Sequence, residues 1–158
     1  MSARTPLAGE SVPVAGYASL FATPDDARDL VVRGAFRRCL TERGPRGIRF
    51  LWQHDPAKPI GVWDRAFEDA RGLRVEGRLL TSTTAGGEAA LLLAGGALDG
   101  LSIGFRTRSA RRDPQTGVRR VFDIDLWEVS LVTFPLHPGA RLDAPGTAAV
   151  SPLRAVRS

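Results

Sequence analysis

Residues 60–80 read IGVWDRAFEDARGLRVEGRLL. In the second half, Leu73, Val75, Gly77 and Leu79 alternate with Arg74, Glu76 and Arg78. Successive side chains on a strand point to opposite faces, so this period of two predicts a half-buried strand. Ile60 to Phe67 is a second strand, and Glu68-Asp69-Ala70-Arg71-Gly72 is the turn between them. An antiparallel pair with one apolar face needs further elements to cover that face.

The flanking sequence supplies them. Val12 to Phe21 reads as a first strand, with Gly16 as a candidate bulge. Thr23-Pro24-Asp25-Asp26 is turn chemistry. Gly34 opens a helix over Ala35 to Arg43, closed by Gly44-Pro45. Ile48 to Gln53 is a short apolar strand ending at His54-Asp55-Pro56, where Pro56 disfavours helix at Asp55. A second helix is predicted over Thr84 to Leu98, with Thr84 as its cap and Gly95-Gly96 fraying its end. Leu101 to Ser109 is a strand, Asp113 to Gly117 a polar hairpin loop, and Val118 to Phe134 one or two further strands. The expected fold is mostly β (α+β): a small closed or nearly closed antiparallel β-barrel flanked by two or more helices. Residues 1–10 are expected to form a flexible arm, 11–142 the domain, and 143–158 a disordered, Pro/Ala/Gly-rich tail.

The totals agree with one domain. The chain has 158 residues, 43% hydrophobic and 25% charged, with 17 glycines and 11 prolines. Turns in a β protein use such residues. Lys+Arg number 22 against 17 Asp+Glu, a net charge of +5. No basic helix, zinc ligand set or aromatic stacking motif accompanies the surplus, so nucleic acid is not an expected partner. One cysteine, Cys39, rules out an intrachain disulfide. No apolar run has transmembrane length, and the first residues lack a signal-peptide core. A cytosolic-type protein without a membrane partner is expected. One Cys and two separated His do not make a standard zinc set, and the Gly86-Gly87 and Gly95-Gly96 pairs lack the Lys-Ser/Thr of a phosphate loop. No metal or cofactor is expected.

Three positions stand out chemically. His54 ends an apolar segment and begins a turn, where a side chain is held rigidly yet open to a site. Its bland alternative is a histidine bonded to Asp55 or to a backbone carbonyl. Ser102 lies in Leu101-Ser102-Ile103-Gly104-Phe105; it shares a face with Gly104, whose bareness leaves room for a close approach. This is not a Gly-x-Ser-x-Gly elbow. Glu128 lies in Leu126-Trp127-Glu128-Val129-Ser130-Leu131-Val132. Strict alternation puts Trp127, Val129 and Leu131 on one face, and Glu128 and Ser130 on the other with Leu126 and Val132. A carboxylate on such a face needs a partner, either an imidazole or an arginine. The other histidine, His137, sits between Leu136 and Pro138 and reads as a surface or packing residue. Residue types and spacing lead to a β domain with a candidate Ser/His site.

The ordered segments resemble the prohead (capsid-maturation) proteases of tailed bacteriophages. They are Gly16 to Phe21; Asp29 to Phe36; Leu51-Trp52-Gln53-His54-Asp55 with Pro59-Ile60-Gly61; Gly72 to Gly77; Leu98 to Phe105; and Leu126 to Pro135. The resemblance spans residues 12–141. It implies a barrel similar to that of herpesvirus assembly proteases and a serine endopeptidase activity. On the matching positions Ser102 is the implied nucleophile, His54 the base and Glu128 the third member, with Asp125 in reserve. Herpesvirus relatives use a second histidine, but His137 lies beyond the matching strand. The implied partners are the major capsid protein with its scaffold segment, and the protein itself through autoproteolysis; a dimer is a further expectation. The implied setting is the bacterial host cytoplasm, inside the immature capsid. Two rivals stand beside this reading: a non-catalytic capsid-binding or scaffold module on the same fold, and a small esterase.

Overall fold

A computed structural model describes residues 10–144. The expectations for residues 1–9 and for the tail from 145 onward lie outside the described residues. Seven strands form one sheet: β1 (Ser11–Leu20), β2 (Asp29–Val31), β3 (Arg49–Trp52), β4 (Asp55–Glu68), β5 (Gly72–Leu80), β6 (Gly100–Arg112) and β7 (Arg119–Val132). Helices α1 (Arg37–Arg43) and α2 (Thr84–Ala94) accompany them.

The hairpin at residues 60–80 is as its alternation predicts. Leu73, Val75 and Leu79 are buried, and Arg74, Glu76 and Arg78 lie between them half-exposed. β5 pairs antiparallel with β4 on one side and β1 on the other. Gly77 is bare because Val62 and Trp63 crowd it: a Cβ there would collide with the Val62 carbonyl and lie 2.7 Å from the Trp63 ring. Trp63 in turn stacks on Phe50, with centroids 3.9 Å apart, and its indole N–H donates to the Val129 carbonyl at 3.3 Å. Burying a side chain of this size contributes on the order of 3–5 kcal/mol relative to alanine.

The sheet order is β1-β5-β4-β3-β7-β2, with β6 on the other edge of β7. Two features correct the expected barrel. The sheet is mixed, because β2 and β3 both run parallel to β7. It is also not closed. β1 and β6 do not pair; the segment after β7 lies between them, joined to each by an isolated bridge, Gly16 with Leu142 and Gly100 with Arg141. Backbone bonds from Leu101 N–H to the Ala140 carbonyl and from Asp143 N–H to the Ala15 carbonyl fasten this segment on both sides. The chain itself occupies the gap that direct β1–β6 pairing would need. Arg74 grips Asp143 at 2.6 Å, so the expected start of the loose tail, residue 143, is tied to the sheet.

β2 has only three residues, too few for a pattern. It is held by the two-pronged pair of Arg119 with Asp29, at 2.8 and 2.7 Å. The cap of α2 is Thr83 rather than Thr84: its hydroxyl accepts the Gly86 N–H at 2.9 Å. The helix stops at Ala94, four residues short of the predicted end. Gly96 turns into the left-handed region at φ 78°, and Ala97 N–H bonds back to the Leu92 carbonyl. α1 places the buried Cys39 against the sheet.

Candidate active site

The site is assembled from β3, β6 and β7. β3 joins β4 through a two-residue loop, Gln53-His54, between the paired Trp52 and Asp55. Both loop residues have positive φ, 51° and 61°. That is the backbone of the tight hairpin turn compatible with sheet twist, which usually carries Asn-Gly. A non-glycine residue in this region costs on the order of 1 kcal/mol or more, so the surroundings must hold it. They do so through β7. Gln53 N–H donates to the Leu131 carbonyl at 2.9 Å, and the Gln53 side-chain amide exchanges hydrogen bonds with Thr133 at 2.7 and 3.2 Å. His54 N–H donates to Ser130 Oγ at 3.2 Å.

The turn thereby aims the imidazole at Glu128. His54 Nδ1 hydrogen-bonds Glu128 Oε1, while Glu128 Oε2 accepts the Ser130 hydroxyl at 2.7 Å. Both carboxylate oxygens are satisfied, as a group only 5% exposed requires. With Nδ1 donating to the carboxylate, Nε2 is left as the acceptor nitrogen. The His54 side chain is 42% exposed, so the pair is buried at its acidic end and open at its imidazole end.

Ser102 stands on β6 directly opposite Ser130 on β7, and Gly104 opposite Glu128. Directly opposed residues share a face. Ser102, Gly104, Glu128 and Ser130 therefore lie on one side of the sheet, with His54 over it. Ser102 is 8% exposed and borders a small depression with Leu136 and His137. No hydrogen bond joins Ser102 to His54 among the described residues. Ser130 is the serine bonded to the pair, but it is fully buried and both its bonds are spent on positioning.

Three readings from the sequence change here. Gly104 is bare to admit Glu128, since a Cβ there would collide with the Glu128 side chain. Strict alternation along β7 fails: Gly104 pairs with Glu128 but Phe105 pairs with Leu126, leaving Trp127 as a bulge. The bulge inverts the phase. Leu126 joins Val129 and Leu131 in the core, while Trp127 turns out beside Glu128, 41% exposed. Asp125 does not contact His54. It accepts from Arg43 at 2.8 Å, and that hydrogen bond holds its carboxyl below the usual range. His137 has both ring nitrogens engaged, with Thr23 at 2.9 Å and Gly139 N–H at 3.0 Å.

The family model described as Caudovirus prohead serine protease matches residues 2–151. The chain belongs to this family. Among the family's curated relatives, the prohead protease of Enterobacteria phage HK97 is 32% identical over 133 residues, covering 82% of this chain and 58% of that protein. The prohead protease of Escherichia phage T5 is 30% identical over 130 residues, covering 80% and 59%. The chain thus spans just under three fifths of the length of these relatives. Two solved structures carry the fold further afield. The bacteriophage T4 capsid assembly protease superposes with a TM-score of 0.63 at 14% identity, covering 78% of this chain and 82% of that one. The varicella-zoster virus protease superposes with a TM-score of 0.57 at 17% identity, covering 94% and 71%. The herpesvirus-like architecture expected from the sequence is present, without barrel closure.

The family segments contain one side chain bonded to the His54–Glu128 pair, Ser130, that residue-by-residue reading left unweighed. Ser130 shares a face with Glu128 by alternation, and that was its only signal. Its bond to Glu128 is local to β7, whereas the one it accepts from His54 N–H depends on the β3–β7 register, where Leu51 lies beside Ser130.

Proposed function

We propose that this protein is a serine endopeptidase that trims the scaffold segment of a capsid protein, and itself, inside the immature shell of a tailed phage or phage-like particle. The observation that carries this reading is the buried Glu128 carboxylate bonded to His54 Nδ1, on the face where Ser102 stands, in a member of the prohead protease family.

In this mechanism a bound peptide brings Ser102 Oγ and His54 Nε2 together through side-chain rotation, since catalytic hydrogen bonds commonly tighten only in the substrate complex. Nε2 takes the hydroxyl proton as Oγ bonds to the scissile carbonyl carbon. Glu128 fixes the imidazole orientation and stabilises its cationic form, and Ser130 fixes Glu128. The imidazolium returns the proton to the leaving amine as the C–N bond breaks. Water, deprotonated by the same nitrogen, then releases the acyl group from Ser102. Backbone N–H groups near Gly104 or Phe105 are the candidate oxyanion donors. Confinement inside a shell raises the effective concentration of substrate, so modest selectivity suffices.

The test is co-expression with the neighbouring capsid protein, wild type against Ser102→Ala. Mass spectrometry should find a trimmed capsid protein with the wild type and full-length chains with the variant. Trimming that persists unchanged with Ser102→Ala would remove Ser102 as the nucleophile, and capsid protein left untrimmed by the wild type would point instead to a non-catalytic module. Turnover of simple esters without any action on capsid protein would point to an esterase.

A further inference from the structure

A groove of about 590 Å³ opens from the His54–Glu128 pair. Its apolar surface comes from Leu51, Pro56, Pro59 and the bulged Trp127. Proline has no N–H, so the two prolines offer no donor to a ligand there. Gly47 and two arginines, Arg43 and Arg49, complete the lining.

The charges of this groove do not cancel. Glu128 is committed to His54 and Ser130. Arg43 is committed to Asp125. Arg49 is exposed, and among the described residues it has neither an ion-pair partner nor a side-chain hydrogen bond. It sits in register beside Glu128 on the adjoining parallel strand. One unspent guanidinium therefore stands at an apolar groove that begins at the proposed general base. A guanidinium fork matches a carboxylate with two parallel hydrogen bonds.

We propose that this groove is a specificity subsite that receives an acidic side chain of the peptide substrate on Arg49, with an adjacent apolar side chain of the same peptide against Trp127 and Leu51. The proposal rests on the endopeptidase reading above. The bulge in β7 is what makes it available. With strict alternation Trp127 would point into the core, and the groove would lose its aromatic wall.

The experiment digests a library of proteome-derived peptides with the intact protein and reads the cleavage sites by mass spectrometry. Labelling of the wild type by a fluorophosphonate is followed in parallel. The wild type should show Asp or Glu enriched at one fixed position near the scissile bond. Arg49→Ala should lose that enrichment and lower kcat/KM for an acidic test peptide by about tenfold, which corresponds to roughly 1.4 kcal/mol. Arg49→Lys should retain part of it, and Arg49→Glu should replace it with Lys or Arg at the same position. Arg49 is exposed and has no partner among the described residues, so these variants should melt close to the wild type. Cleavage by the wild type without acidic enrichment, or enrichment that survives Arg49→Ala, overturns the subsite alone. A wild type that neither takes the fluorophosphonate nor cleaves any peptide overturns the endopeptidase reading, and the subsite with it.

Discussion

β5 and β7 are both long strands in the same sheet, and they use alternation differently. β5 keeps a strict period of two from Leu73 to Leu79, with every second side chain in the core. β7 keeps it only in pieces. At Trp127 a bulge shifts the phase, so Leu126 and Val129 both face inward and Trp127 stands beside Glu128. The regular strand carries burial and little chemistry. The irregular strand supplies Glu128 and Ser130 to the site and a wall to the groove. A bulge gives up a ladder partner locally and re-aims a side chain in return.

That contrast can be broken at either end. The largest effect is expected at Glu128. Glu128→Gln keeps the shape and removes the charge that orients and stabilises the imidazolium, so kcat should fall by about 10³–10⁴-fold, as for comparable triads. Burst kinetics on a capsid-protein substrate would measure it, and a loss below tenfold would remove Glu128 from the mechanism. On the regular strand, Leu79→Ala should cost about 2–5 kcal/mol in a urea titration, because Leu79 is fully buried. The folded fraction should cleave at the wild-type rate. A rate that falls with stability would mean the two regions are not separable.

Ser130→Ala tests the link between the regions. It removes a buried acceptor from His54 N–H and a donor from Glu128, which should cost about 1–3 kcal/mol. A merely structural role would change stability alone. A positioning role should also move the acid limb of the pH–rate profile, because Glu128 then holds His54 differently. Ser130→Thr, which keeps the hydroxyl, should restore that limb. The smallest effect is expected at Asp125. Its carboxyl is held low by Arg43, so the stabilisation is present above its unfolded-state titration and is lost as pH falls through the lower folded-state value. Asp125→Asn should flatten the acid limb of the stability curve slightly, since the Arg43 pair lies near the surface.

Much of the architecture was legible because it rests on local rules. The β4–β5 hairpin follows from alternation around residues 60–80, the first helix from its glycine boundaries, and the second from its threonine start and its run of good helix formers. His54, Ser102 and Glu128 could be singled out as a strand-end imidazole, a hydroxyl beside a bare glycine, and a carboxylate on a partly apolar face. Their convergence was not legible from spacing, because His54 and Glu128 are 74 positions apart and meet through a parallel β3–β7 pairing that no local pattern encodes. Asp125 and Glu128 were alike as residue types. Only the bulge between them separates their surroundings, leaving one on the imidazole and the other on Arg43.

The amino-acid sequence by itself determined a β-rich domain and its family, and singled out three candidate side chains, His54, Ser102 and Glu128. Periodicity, turn residues and ordered segments are properties of the chain read along its length. The tertiary structure alone decided that the sheet stays open, that Gln53 and His54 sit in a left-handed turn held by β7, that Ser130 buttresses Glu128, and that Trp127 faces the groove. Each of these depends on how distant backbone segments align. A shift of one residue in a β register exchanges the two faces of a strand.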